Sequence, residues 1–130
     1  MERSGYATLY MQGPKQIVLL DDVTATTTGG AVNVENAKKF TVVFTRTNHS
    51  SGSSAFSLLG SMDGVTFVTL MMIRNLANAI SEGPTRVTTE TLSSNTSVMV
   101  FLDEFVALKA IRCDVTETTD GTHRAVLFIN

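Results

Sequence analysis

The chain is expected to fold as a single all-β domain, an antiparallel β-sandwich of jelly-roll type, and three observations predict it. Thr, Val and Phe recur throughout, and such side chains fit a pleated surface but lose rotamer freedom in a helix. Turn-forming residues return at intervals of roughly 8 to 12 residues, dividing the chain into about eight or nine short strands. Strand–helix–strand alternation is missing, which excludes a doubly wound nucleotide-binding fold. At 130 residues the chain suits one core rather than two. Helix is expected in less than about one tenth of it.

The elements follow in order. Residues 1–15 are expected to form an N-terminal arm, set off by the Gly13-Pro14 break, and residues 16–130 the sandwich. Ile17 to Leu20 is apolar. After a Thr-rich stretch closed by Gly29-Gly30, Ala31, Val32 and Val34 read as a short strand. The clearest alternation sets Phe40, Val42 and Phe44 on one face against Thr41, Val43 and Thr45 on the other, the period of a half-buried strand. Asn48 to Ser54 reads as a loop, and Ala55 to Gly60 as the next strand.

Asp63-Gly64 lies between two apolar runs, the signal for a tight hairpin turn in which both residues take positive φ. The returning strand is then Thr66 to Ile73. Arg74 to Gly83 reads as a short helical turn or an irregular loop, and Arg86 to Leu92 as an edge strand. Val98 to Leu102, Ala107 to Val115 and Arg124 to Ile129 complete the set, with Asp120-Gly121 turning between the last two. The expected core is Phe40, Val42, Phe44, Phe56, Leu58, Phe67, Val100, Ile111, Val115, Leu127 and Ile129.

Composition narrows the function. A formal net charge of −2 supplies no electrostatic drive toward nucleic acid or anionic lipid. Apolar runs such as Leu70 to Ile73 fall far short of the roughly 20 residues that span a bilayer. The single cysteine, Cys113, has no internal partner, and no secretory signal opens the chain, so synthesis in a reducing cytoplasm is expected. The two sequons at Asn48 and Asn95 then read as chance products of Ser/Thr-rich loops.

Four segments stand in a fixed order: Gly29-Gly30-Ala31-Val32-Asn33-Val34, the strand Lys39 to Thr45, the hairpin Gly60-Ser61-Met62-Asp63-Gly64-Val65-Thr66-Phe67, and Ala110-Ile111-Arg112-Cys113-Asp114-Val115. Together they resemble the small β-sandwich structural proteins of tailed bacteriophages, of decoration or cement type, over residues 29 to 129. In that group a strand reading glycine, serine, any residue, aspartate, glycine, any, any, aromatic precedes one reading isoleucine, arginine, any, any, valine. Discoidin-like and carbohydrate-binding sandwiches share the pattern. The aromatic after Asp-Gly is often Trp, whereas this chain has Phe67. The resemblance implies a non-enzymatic virion protein, made in the host cytoplasm, that binds the major capsid protein and itself.

Each candidate site has a plainer reading beside the functional one. The Ser61 to Phe67 hairpin, with Asp63 and Gly64 at its turn, presents a ligand or simply lets Phe67 plug the sandwich. Arg112 anchors an interface or pairs with Asp114, Asp103 or Glu104, since an unpaired buried Arg is costly. His49 and His123 lack the spacing of a zinc site or serine triad. Asp21-Asp22 and Asp103-Glu104 supply oxygens for calcium, but neighbours on a strand point to opposite faces. Cys113 reads as a small core residue. No catalytic, cofactor-binding or metal residues are assigned, and no cofactor is expected.

Assembly is the remaining theme. Met62, Met71, Met72, Met99, Leu59, Leu70 and Leu76 exceed what a thin sandwich needs, and soft Met side chains adapt to partners, although they also fill irregular cores. In the arm, Tyr6, Leu9, Tyr10 and Met11 read as an interface that orders on a neighbouring subunit. A homo-oligomer is expected, with a closed trimer favoured, and no nucleic-acid or membrane partner. The alternatives are a carbohydrate-binding module, disfavoured by the absence of Trp, or a tail or neck protein of the same fold.

Overall fold

A computed structural model describes residues 14–74, 85–102 and 107–130. The described residues form twelve strands and no helix: β1 (Lys15–Val23), β2 (Thr27–Thr28), β3 (Val32–Asn33), β4 (Phe40–Thr47), β5 (Ser54–Ser61), β6 (Val68–Thr69), β7 (Met72–Arg74), β8 (Thr85–Val87), β9 (Glu90–Leu92), β10 (Thr96–Leu102), β11 (Ala110–Glu117) and β12 (Thr122–Ile129). Accordingly no described helix is long and apolar enough to cross a membrane. The first strand begins at Lys15, one residue inside the expected arm; the rest of that arm, apart from Pro14, lies outside the described residues. So does nearly all of the segment read as a helical turn or loop.

Pairing is nested. The first strand pairs with the last (β1 with β12), β2 and β3 with β11, β4 with β10, and β5 with β9, all antiparallel. A chain folded double in this way and rolled into two sheets is a jelly roll. One sheet, called here the outer-strand sheet, runs β1-β12-β4-β10-β7-β8. The other is built on the central pair β11–β5, with β2 and β3 on one flank and β6 and β9 on the other. The antiparallel sandwich expected from turn spacing is therefore present.

Two runs read as single strands are each divided between the sheets. Thr66 to Ile73 leaves β6 in the second sheet and enters β7 in the first; Arg86 to Leu92 makes the reverse crossing through β8 and β9. Arg74 of β7 donates twice to the Glu90 carboxylate of β9, at 2.8 and 2.7 Å. This ion pair clasps the two sheets where they part. Its bidentate geometry keeps the Arg74 pKa raised, chiefly through the hydrogen bond to Glu90, and satisfies a carboxylate that is almost fully buried.

Alternation delivers the core. Phe40, Val42, Phe44, Phe56, Leu58, Val100, Ile111, Val115 and Leu127 are all buried, and Ile129 packs against them partly exposed. Phe44 and Phe56 stack across the sheets with ring centroids 4.8 Å apart. Cys113 is buried among them, and burial, followed by the neighbouring Asp114 charge, pushes its thiol pKa far up. Phe67 does not belong to this core. It is half-buried on the outside of the second sheet, under the Arg112 guanidinium at 5.0 Å.

Candidate functional site

Three places carry more than packing demands: a buried polar cluster at one end of the sandwich, the hairpin at the other end, and the outer face of the β1-β12-β4-β10 sheet. The cluster sits where β4, β5 and β12 meet. Arg46 continues the inward series Phe40, Val42, Phe44 and is completely buried. Its Nε donates to His49 Nδ1 at 3.2 Å and Nη2 to the Ser51 carbonyl at 2.9 Å, while Nη1 donates to Ser54 Oγ. Asp120 lies 3.7 Å away and remains partly exposed. A Cβ at Gly121 would come within 2.9 Å of the guanidinium, so this turn needs glycine for space as well as for its φ of 127°.

The polarity of the cluster follows from its ends. A guanidinium only donates and a backbone carbonyl only accepts. Ser54 Oγ therefore accepts from Arg46 and donates to His123 Nε2 at 2.6 Å, and His123 Nδ1–H donates to the Val23 carbonyl at 3.0 Å. A serine beside a histidine invites comparison with a nucleophilic pair. Yet Ser54 is fully buried, and Nδ1, which in a triad faces the orienting acid, holds a carbonyl instead. Glu117 approaches Nε2 at 3.5 Å, the nitrogen that Ser54 already occupies. The cluster is a structural plug of the sandwich end.

The acidic pair Asp21-Asp22 differs from its strand-based reading. Register shifts within β1 and a positive φ of 54° at Asp22 bring both carboxylates to Arg124, at 2.8 and 3.6 Å. They form an ion pair. Arg112 pairs with Asp114 at 3.3 Å; Asp103 and Glu104 lie outside the described residues. Among the described residues no group of three or more His, Cys, Asp or Glu side chains is placed to hold a metal.

At the opposite end, the turn after β5 is wider than a two-residue hairpin. Only Gly64 takes positive φ, at 85°, so the expectation for Asp63 is corrected. Pairing resumes only at Gly60 with Val68. Asp63 shapes the loop with its side chain: Oδ1 accepts from the backbone amides of Thr66 and Val65 and from the Ser61 hydroxyl, each at 2.8 Å. These bonds hold its carboxyl at a pKa of about 2. Around this loop Met62 and Val65 are 80% and 81% exposed, with Val68 and Met71 also exposed. A cavity of about 610 Å³ opens beneath, lined by Gly60, Met62, Thr66, Val68, Leu70 and Leu108 among others.

The third place is the outer face of the first sheet. Side chains opposite one another in the register form rows across it. One row reads Val18, Val126, Val43, Met99; the row nearer the start of β1 reads Gln16, Phe128, Thr41, Phe101, Ile73 and ends on Arg86 of β8. Val18, Met99 and Phe101 are 43%, 42% and 36% exposed. Toward the opposite end the next outward row is polar, with Arg124, Thr45 and Ser97, where Thr45 and Ser97 share a hydrogen bond at 2.9 Å. Over β1, β12, β4 and β10 the first two rows carry no charge and are mainly apolar, broken by Gln16 and Thr41, and Arg86 closes the second row at the β8 edge. Of the surplus apolar residues, Leu70 and Met72 are core, Leu59 is half-buried, and Met62, Met71 and Met99 are exposed; Leu76 and the arm residues Tyr6, Leu9, Tyr10 and Met11 lie outside the described residues.

No protein-family model matches the chain, and no curated protein matches it in sequence. Among solved structures, the SPBc2 prophage-derived protein YomS superimposes with a TM-score of 0.64 at 13% identity, covering 89% of this chain and 92% of that one. At that identity the likeness is one of fold: the two chains share their architecture over nearly their whole lengths.

Proposed function

We propose that the chain is a non-enzymatic phage virion protein that decorates or cements the capsid, binding the major capsid protein and other copies of itself. The observation that carries this reading is the apolar half of the outer face, where Val18, Val43, Val126, Met99, Phe101 and Phe128 stand side by side without a charge. A soluble monomer leaves such a patch in water at a cost, and patches of this kind mark protein contacts. The fold shared with a prophage-derived protein supports a phage setting.

The mechanism is linkage. A subunit that binds the assembled lattice but not its free parts shifts the equilibrium away from dissociation. A closed ring, such as a trimer at a lattice threefold, satisfies both self-contact and lattice symmetry. A carbohydrate module is the weaker reading, because the ring of Phe67 lies under Arg112 and is not free to stack on a sugar.

Mass spectrometry of purified particles of the encoding phage, paired with co-sedimentation on their empty capsids, tests the proposal. The protein is expected in the particles at a stoichiometry matching the capsid lattice, and in the capsid pellet. Its absence from particles overturns the virion reading; its presence only with isolated tails overturns the capsid placement.

A further inference from the structure

The apolar half-face has a defined size and a defined neighbour. Its two rows span four to five strands and two residue steps, roughly 20 by 13 Å from the strand spacing and rise, or about 260 Å². A stable contact between two globular surfaces buries about 800 Å² per partner, so the patch is too small to hold a second domain by itself. It is the right size for one extended segment of about six residues.

The sequence contains such a segment, and its point of attachment is known. Ser4 to Gly13 runs for ten residues without a charged side chain and carries Tyr6, Leu9, Tyr10 and Met11. It joins the sandwich at Lys15, which pairs with Ile129, one step from the row that begins Gln16, Phe128. The uncharged segment and the part of the patch over β1, β12, β4 and β10, which carries no charge, thus lie at the same end of the same sheet. Of the charged groups of this face, Arg124 with Asp21 and Asp22 lie at the other end, and Arg86 stands at the β8 edge, off the row Val18, Val126, Val43, Met99.

From this match we infer that the six residues 6–11 of one copy, which hold Tyr6, Leu9, Tyr10 and Met11, dock across the row Val18, Val126, Val43, Met99 of a neighbouring copy. This rests on the reading of the chain as a self-associating protein and names the surface that does it. Exchange between copies adds the segment to whatever the domains bury directly, which lifts a contact otherwise below the size of a stable interface.

The test uses the full-length protein with the photocrosslinking amino acid p-benzoylphenylalanine in place of Met99, an exposed position. The same amino acid in place of Ser97, one outward step along β10 on the polar half, is the control. Circular dichroism confirms that both variants keep the strand spectrum. After irradiation and gel separation, trypsin cuts behind Arg3 and Lys15 and releases the arm as the peptide Ser4–Lys15. The expected result is a cross-linked dimer band from position 99 that contains this peptide, largely lost from position 97. A cross-link to Ser4–Lys15 only within the monomer band overturns exchange between copies. Dimers linked through any other peptide, or no linkage at all, overturn docking of the arm. The experiment needs no phage particle, so these outcomes stand apart from the particle composition that tests the virion reading.

Discussion

The two outer faces of the sandwich rest on one core, yet they offer opposite chemistry to their surroundings. On the face made by β11 and β5, outward positions carry Thr116, Asp114 and Arg112 beside Ser57, with Thr28, Thr69 and Thr91 at the flanks. The apolar groups there are covered: Leu59 is half-buried opposite Arg112, and Phe67 lies beneath the guanidinium. On the β1-β12-β4-β10 face, Val18, Met99 and Phe101 stand open. Strand alternation dictates what points inward on both sheets, and leaves the outward composition free to answer what each face meets. One face presents mainly polar and charged groups to its surroundings, and the other mainly apolar ones over half its area.

The largest lesion removes what both faces share. Arg46→Ala takes a fully buried guanidinium from Ser54, His49 and the Ser51 carbonyl, leaving the carbonyl and His49 Nδ1 without it and Ser54 with His123 alone. A loss of about 3 to 5 kcal/mol is expected, seen as one cooperative transition in denaturant in which signals from both sheets move together. Two separated transitions would break the premise of a common core.

Phe67→Ala sharpens the contrast within the polar face. A core plug would cost about 3 to 5 kcal/mol. A half-buried ring with one cation–π partner is expected to cost about 1 to 2 kcal/mol by thermal melting.

Acid titration reaches the hairpin through Asp63. The Asp63 pKa is depressed to about 2, so its contribution is present above the ordinary carboxylate value of 3.8 and is lost as pH falls through the folded value. Amide chemical shifts of Val65 and Thr66 are expected to move between about pH 4 and 2, roughly the interval of the two pKa values, and to lose that movement in Asp63→Asn. The smallest effect is chemical: Cys113, buried with its thiol pKa pushed far up, is expected to resist thiol reagents until the protein is unfolded, measured by labelling with and without denaturant.

Much of this architecture was legible in the chain. The series Phe40, Val42, Phe44 and the turn at Asp120-Gly121 place strands and core because a period of two and a glycine requirement are local properties. The same series runs on to Arg46, an inward position that only its register with His123 and the approach of Ser54 explain. Phe67 escaped because the Asp63 side chain bends the chain between Gly60 and Val68, and parity cannot be counted across such a loop. Sheet changes within Thr66 to Ile73 and Arg86 to Leu92 were hidden in runs of uniform strand character. The exposed rows were readable one residue at a time, in Val43 or Met99. Their alignment into a patch depends on long-range register.

The difference between the faces is tested most directly by placing one charge on each. Met99→Glu lies in the apolar row and Thr116→Glu on the exposed polar face, and sedimentation velocity at matched concentrations compares both with the parent. Met99→Glu is expected to reduce self-association with its melting temperature unchanged, and Thr116→Glu to leave association as it was. Equal effects from the two substitutions, or undiminished association with Met99→Glu, would contradict the assignment of the apolar face to protein contact.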